Sequence, residues 1–445
     1  MKFKINPFKR LFYLFVKSIV MITFSIFYRK EKTHNEQYFK TPGPCIIIGN
    51  HPNTMVDVLN VAKKKNAIVH FLANAGMFST AITNWFFTTF FCIKVERPKD
   101  VPGKRIDNAA SLKYSADFLG RYGTLFIAAE GTSKLERRLR DLKTGGARIA
   151  FDAMQKNNWE LPITFLPVGI TYENPKLARY DLFYNFGKPI QVIDYKERFE
   201  KEPAKTIKLL TSDIQSSMQD LLLHTDPVDD DLDKLVQKLE RIHKNEHGND
   251  HANQFFISKA WITKLLDLKY KDTAAYQTIK DQVNTYCEHV SQHKLTDKSV
   301  QDRGGQLITI LYFILGGVFA LWGWLNNLAA FYLPDYLIRR LKLYPGYTAT
   351  VKLLLVISIF PPIYWLQYKL VSTFGIFPRS YIIYVLQSSV FGFFSLWYSR
   401  KWTQYKADRR WNKLKKQNNE LYKSIQTQRK EITDTVFSQI STKSP

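Results

Sequence analysis

A histidine and an aspartate six positions apart, His51 and Asp57, stand in the stretch GNHPNTMVDVLN (residues 49–60), directly after the apolar run Cys45, Ile46, Ile47 and Ile48. A general base needs such a pair: one imidazole nitrogen faces a substrate hydroxyl, while a carboxylate holds the other N–H and stabilises the imidazolium that forms. On one continuous helix the two side chains would point about 240° apart, because each residue advances about 100°. They meet if the strand ends at Gly49 and a helix begins at Pro52, a favoured first-turn residue, which leaves His51 on the loop. The same stretch also reads as a capped helix start, with Asn50 and Asn53 as the capping residues.

Three further segments carry chemistry of their own. LFIAAEGTS (residues 125–133) ends a buried strand in Glu130, Gly131 and Thr132. That places a carboxylate at the carboxyl edge, where open α/β sheets bind ligands, beside a glycine that permits close approach. A strand-end turn with a solvated glutamate is the alternative. Downstream, LERRLRDLKTGGARIA (residues 135–150) sets Arg137, Arg138, Arg140, Lys143 and Arg148 around Gly145 and Gly146. Backbone amides at a helix start with cations nearby can bind phosphate, although each cation alone also fits a solvated face. In CIKVERP (residues 92–98) Arg97 follows a strand and can clamp an anion. In LPITFLPVGITYENP (residues 161–175) Pro167 interrupts an apolar strand, which implies an edge position or a wall built for a ligand.

The elements that must position these residues are short β-branched runs alternating with helical patterns between residues 41 and 190. Strands are expected at 45–48, 67–72, 92–95, 124–128, 163–170 and 183–190, and helices at 108–119 and 145–154. This alternation predicts an α/β domain with a mixed, largely buried sheet flanked by helices. From residue 203 onward the pattern turns helical: Ile207, Leu210, Ile214, Met218 and Leu221 form one apolar stripe, and the polar stretch 228–300 is again mostly helical.

The 445 residues allow one large domain with appendages, or two. A formal net charge of +25 and a pI near 9.7 call for an acidic partner: nucleic acid, an anionic membrane surface or phosphorylated metabolites. The mean hydropathy of −0.24 averages over strongly apolar blocks. Residues 307–333 contain no charge and exceed the roughly 20 residues a bilayer core requires, and residues 353–366 and 381–398 are further candidate spans. Both the central region and the tail after Arg400 are basic, which favours an even number of crossings between them. The first block, carrying Gly316, Gly317, Gly323, Asn326 and Asn327, is therefore expected to form a hairpin alongside two true spans. The N-terminus, apolar but interrupted by Lys17 and bracketed by bases, suits an interfacial helix. The expected division is an N-terminal membrane-associated helix (1–38), a catalytic domain (39–195), a helical extension (196–305), a membrane region (306–400) and a basic cytoplasmic tail (401–445).

Taken in order, the four motif segments resemble those of the glycerolipid acyltransferase family, membrane enzymes that acylate glycerol 3-phosphate or lysophosphatidate from an acyl thioester. The resemblance spans residues 41–190. It implies His51 as base and Asp57 as its orienter, and an acceptor site drawn from Asn50, Arg97, Glu130, Gly131, Thr132, Lys134, Lys143 and Gly145. Pro167 would be part of the acyl-donor wall. Five residues separate His51 from Asp57, where most members have four. In that respect the chain is similar to the branch acting on glycerol 3-phosphate and dihydroxyacetone phosphate. Ala129 replaces the usual proline before the glutamate, and Ser133 the usual arginine, with the base displaced to Lys134.

The implied partners are a glycerol phosphate or lysophosphatidate acceptor, acyl-CoA or acyl carrier protein as donor, and an anionic lipid membrane, with no nucleic acid. No metal or redox cofactor is implied. Cys45, Cys92 and Cys287 lack metal-ligand spacing, and the run from His243 through His247 to His251 is interrupted by Gly248, Asn249 and Asp250. Two rivals remain at this level: thioester hydrolysis with water as acceptor, and a non-enzymatic basic membrane scaffold.

Overall fold

A computed structural model describes residues 6–97, 106–225, 228–248, 250–301, 306–375 and 380–440. Asn249, named above, and the last residue of the CIKVERP motif, Pro98, lie outside the described residues. The chain forms two compact units, Met1–His224 with Tyr344–Thr350, and Thr225–Leu343 with Val351–Pro445.

The first unit opens with α1 (Pro7–Phe27), β1 (Glu31–His34) and α2 (Glu36–Phe39). Then come β2 (Cys45–Gly49), α3 (Met55–Lys64), β3 (Val69–Asn74), α4 (Ala81–Thr89), β4 (Cys92–Val95) and α5 (Ala109–Gly120). It closes with β5 (Thr124–Ile127), α6 (Gly145–Lys156), β6 (Thr164–Tyr172), β7 (Leu182–Phe186), β8 (Ile190–Gln191), α7 (Lys196–Lys201) and α8 (Pro203–Asp220). The strands make one mixed sheet in the order β1-β7-β6-β2-β5-β3-β4, with β8 also on β6. β2 runs parallel to β5 on one side and β6 on the other, which is why all five of its residues are buried and why its sequence is an unbroken apolar run. Ile149, Phe151 and Met154 of α6 and Leu210, Ile214 and Met218 of α8 pack with Phe165 into the core that covers the sheet.

Pro167 lies on an interior strand and not at an edge. β6 pairs with β8 through Thr164 and Phe165 and with β7 from Val168 onward, so the missing N–H falls where the strand changes partner, and the Pro167 carbonyl still accepts from Gly187. Gly169 is required by close approach: a Cβ there would lie 2.4 Å from the carbonyl oxygen of Leu221. The expected strand 183–190 is two strands, broken at Gly187, Lys188 and Pro189.

One face of α1 packs on the domain. Phe24 is buried, Lys17 Nζ donates to the Lys65 carbonyl at 2.7 Å, and Lys63 of α3 sits 4.7 Å over the Phe24 ring while pairing with Glu31. The other face leaves Phe8, Leu11, Phe15 and Ile22 exposed, and α4 exposes Ile82 and Trp85. The two helices meet through Phe12 and Phe90, whose ring centroids are 4.2 Å apart.

The second unit is helical. α9 (Asp230–His247), α10 (His251–Lys271) and α11 (Thr273–Gln292) bury the stripes Leu232, Leu235, Leu239 and Ile279, Val283. Arg429 ties the far end of the chain to this bundle, donating to Asp297 at 3.0 Å and Glu246 at 2.8 Å. After the short polar α12 (Asp297–Val300), the apolar blocks form α13 (Gln306–Asn326), α14 (Leu328–Arg340), α15 (Thr348–Ser358), α16 (Phe360–Thr373) and α17 (Tyr381–Gln417). α17 continues without a break from its apolar half into the basic sequence after Arg400. Gly323 lets α13 approach α17 backbone to backbone, since a Cβ there would meet the Phe391 carbonyl oxygen at 2.0 Å. Asn327 donates to the Ser388 carbonyl and accepts from the Tyr364 hydroxyl, and Asn326 accepts the Tyr384 hydroxyl, which accounts for the polar pair inside this block. Among the described residues, Pro7–Phe27, Thr309–Asn326 and Tyr381–Gln417 are long and apolar enough to cross a membrane, and the broken pair Pro345–Val356 and Phe360–Thr373 together also qualifies.

Candidate active site

β2 ends at Gly49 and α3 begins at Met55, so His51 lies on the connecting loop and Asp57 in the first helical turn. The helix starts three residues later than Pro52, yet the two side chains meet: Asp57 Oδ2 is 3.0 Å from His51 Nδ1. Asp57 is wholly inaccessible, whereas 18% of the His51 side chain is exposed. Oδ2 also accepts the Asn53 backbone N–H at 2.7 Å, and Oδ1 accepts the Tyr172 hydroxyl at 2.5 Å. A carboxylate used only as an acceptor requires the proton on Nδ1, which leaves the Nε2 lone pair free to take a proton from a hydroxyl.

The second motif meets the first directly. Glu130 Oε1 accepts the backbone N–H of His51 at 3.0 Å and Oε2 that of Arg140 at 3.2 Å. This buried carboxylate thus clamps the histidine loop to the segment after its own turn. Burial raises the Glu130 pKa above the usual carboxylate range, and the two backbone N–H donors offset part of that rise. Asn50 acts similarly, its amide exchanging hydrogen bonds with the backbone of Ile170 at 2.8 and 3.0 Å, so β2 stays fastened to β6 one residue past the ladder. Both side chains, expected among the substrate-binding residues, hydrogen-bond to backbone groups here.

Around the Gly131 turn, at φ +70°, the expected cations gather. Arg97 Nη1 lies 3.4 Å from the Gly131 carbonyl, and the Lys143 stem runs beside Gly131. Lys134 and Lys143 are exposed, Thr132 is half-buried, and Gly145 opens α6. The Lys143 N–H donates to the Ala129 carbonyl at 2.8 Å, which folds the basic segment back over the strand end. Pro167, opposite Ile48 in the ladder, is the only expected site residue inside a strand.

Sequence reasoning missed the supports behind Asp57. Tyr172 on β6 donates to Asp57 and accepts from Asn60 Nδ2 at 3.2 Å. Asn60 also donates to the Tyr28 hydroxyl at 3.0 Å and accepts that of Tyr184 at 2.9 Å. Burial, followed by the negative charge of Asp57, pushes the Tyr172 pKa far up, so the phenol remains a donor. Asn60 was findable, since it lies three residues beyond Asp57 and so on the same helix face. No local spacing points to Tyr172. Among the described residues no group of three His, Cys, Asp or Glu side chains is arranged to hold a metal. His243, from the histidine run, bonds Gln254 through Nδ1 at 2.8 Å.

A mixed α/β sheet here presents an oriented His–Asp pair beside a cationic turn, an arrangement suited to general-base chemistry on an anionic substrate. In comparison with known families, residues 30–171 match the Acyltransferase family model. Among solved structures, the chain is similar to the 1-acyl-sn-glycerophosphate (LPA) acyltransferase PlsC from Thermotoga maritima, with 14% identity over 48% of this chain and 80% of that one and a TM-score of 0.35. No curated protein matches the chain.

Proposed function

We propose that this protein is a membrane-bound O-acyltransferase that moves a fatty acyl group from an acyl thioester to a hydroxyl of glycerol 3-phosphate or dihydroxyacetone phosphate. The observation that carries the reading is the 3.0 Å His51–Asp57 contact closed across five intervening residues, the spacing of that branch of the family. His51 Nε2 takes the acceptor's hydroxyl proton as the oxygen attacks the thioester carbonyl, and the same proton then serves the departing thiolate. Asp57 stabilises the imidazolium in between. Arg97, Lys134 and Lys143 face the acceptor phosphate, and the chemistry calls for neither a metal nor a redox cofactor. The apolar faces of α1 and α4 rest in the lipid, the spanning helices anchor the chain, and the catalytic domain lies on the cytoplasmic side, beside its lipid product.

The test is acyl transfer by the purified full-length chain, with acyl-CoA or acyl carrier protein thioesters as donors. Glycerol 3-phosphate, dihydroxyacetone phosphate and lysophosphatidate are compared as acceptors. Transfer is expected to the first two, falling in His51→Ala by the factor of about 10²–10⁴ that a general base contributes. Undiminished transfer in His51→Ala overturns the reading, as does free fatty acid released at a rate independent of acceptor.

A further inference from the structure

Thr54, the last residue before α3, has φ 50° and ψ −130°, a region that β-branched residues scarcely ever occupy. Backbone strain of this kind persists only where the surroundings over-determine it. Two side chains from distant parts of the chain do so here. Ser133 Oγ accepts the Thr54 N–H at 3.1 Å, and Thr350 Oγ1 lies 2.6 Å from Thr54 Oγ1. Thr350 belongs to Tyr344–Thr350, a piece of later sequence that is part of the first unit. That piece is itself fixed: the Tyr344 hydroxyl accepts the Leu135 N–H, Thr348 Oγ1 donates to the Pro345 carbonyl at 2.6 Å, and Thr348, Ala349 and Thr350 are buried. The Thr54 carbonyl in turn accepts the Asp57 N–H at 3.2 Å, so its conformation sets the turn that carries the carboxylate.

We propose that Thr54, held in this left-handed conformation by Ser133 and Thr350, takes up the additional residue between His51 and Asp57, and that Ser133 and Thr350 are positioning residues for acyl transfer. The proposal rests on the acyltransferase reading. The serine that stands where an arginine is usual, the lengthened interval and the strap from residues 344–350 then form one adaptation. Without the clamp Thr54 relaxes to an ordinary φ, the first turn of α3 rotates, and Asp57 draws away from the imidazole. The loss falls on kcat, because none of the three residues is among those facing the acceptor.

The test uses the full-length enzyme with saturating acyl donor and varied acceptor. Thr350→Val, which keeps the shape and removes the hydroxyl, and Ser133→Ala are each expected to lower kcat about tenfold (about 1.4 kcal/mol) with acceptor KM little changed. Thr350→Ser restores the rate. Glycine adopts positive φ without strain, so in a Thr54→Gly background the further change Thr350→Val costs less than about twofold. Wild-type kcat in either Thr350→Val or Ser133→Ala, a loss confined to KM, equal losses in Thr350→Ser and Thr350→Val, or a full tenfold loss persisting with Thr54→Gly would each overturn the proposal. An active His51→Ala removes the acyltransferase reading itself. An inactive His51→Ala beside an unaffected Thr350→Val removes only the clamp.

Discussion

Replacing Tyr172 by phenylalanine deletes a single oxygen, and the structure says what that oxygen does. Its hydroxyl donates to Asp57 Oδ1 at 2.5 Å, while Oδ2 is occupied by His51 and the Asn53 N–H. Hydrogen bonds to charged groups contribute about 1.5–3 kcal/mol, and a buried carboxylate oxygen deprived of its donor carries a desolvation cost of similar size. Asp57 is wholly buried, so water does not simply replace the phenol. If the full amount is felt in the transition state, kcat falls about 10- to 150-fold. If it is felt only in the folded state, the melting temperature drops and the rate does not. Measuring both in the same detergent preparation separates the two. Tyr184→Phe serves as the control, because Tyr184 touches Asn60 but not Asp57. It is expected to lower stability with a smaller effect on rate. A Tyr172→Phe enzyme with kcat within about twofold of wild type, or one no slower than Tyr184→Phe, would show that Asp57 needs no second support.

Two further outcomes concern the scaffold. His70, packed against the rings of Phe91 and Phe118, has its pKa lowered from 6.5 to about 4, chiefly by burial and then by Lys9. The unfolded chain therefore binds this proton between pH 6.5 and 4 while the folded one does not, so stability falls with acidification through that window by about 3 kcal/mol. In denaturation curves His70→Phe should flatten that fall, and an unchanged acid slope would refute the assignment. Gly169→Ala drives a methyl against the Leu221 carbonyl and should cost about 1–3 kcal/mol in a urea titration, so wild-type stability would argue against the close approach.

The parts of this site that were legible from sequence are those whose geometry is settled within a few residues. A strand, a loop and a helix start between Gly49 and Asp57 leave little freedom, and His51 and Asp57 had to meet or be unrelated. The α/β alternation was legible for the same reason, because each strand carried its own apolar run. β1 was not, since its four residues, Glu31 to His34, are polar and half-exposed at the sheet edge, where no core dictates their type. Glu130 shows a subtler limit. A carboxylate at a strand end is the same signal whether or not it also meets backbone N–H groups, and the bonds Glu130 makes to His51 and Arg140 depend on where the fold places those two residues. Pro167 follows the same logic: the missing ladder bond was correctly inferred, but whether it faces an edge or the handover between β8 and β7 depends on sheet order. Tyr172 and Thr350 stand 115 and 296 residues from their partners. Chain spacing has nothing to say at such separations. The His51–Asp57 pair is thus written locally, whereas the restraints that hold it in register are written in the topology, and substitutions at those remote restraints are the ones whose effects on rate a motif alone would not anticipate.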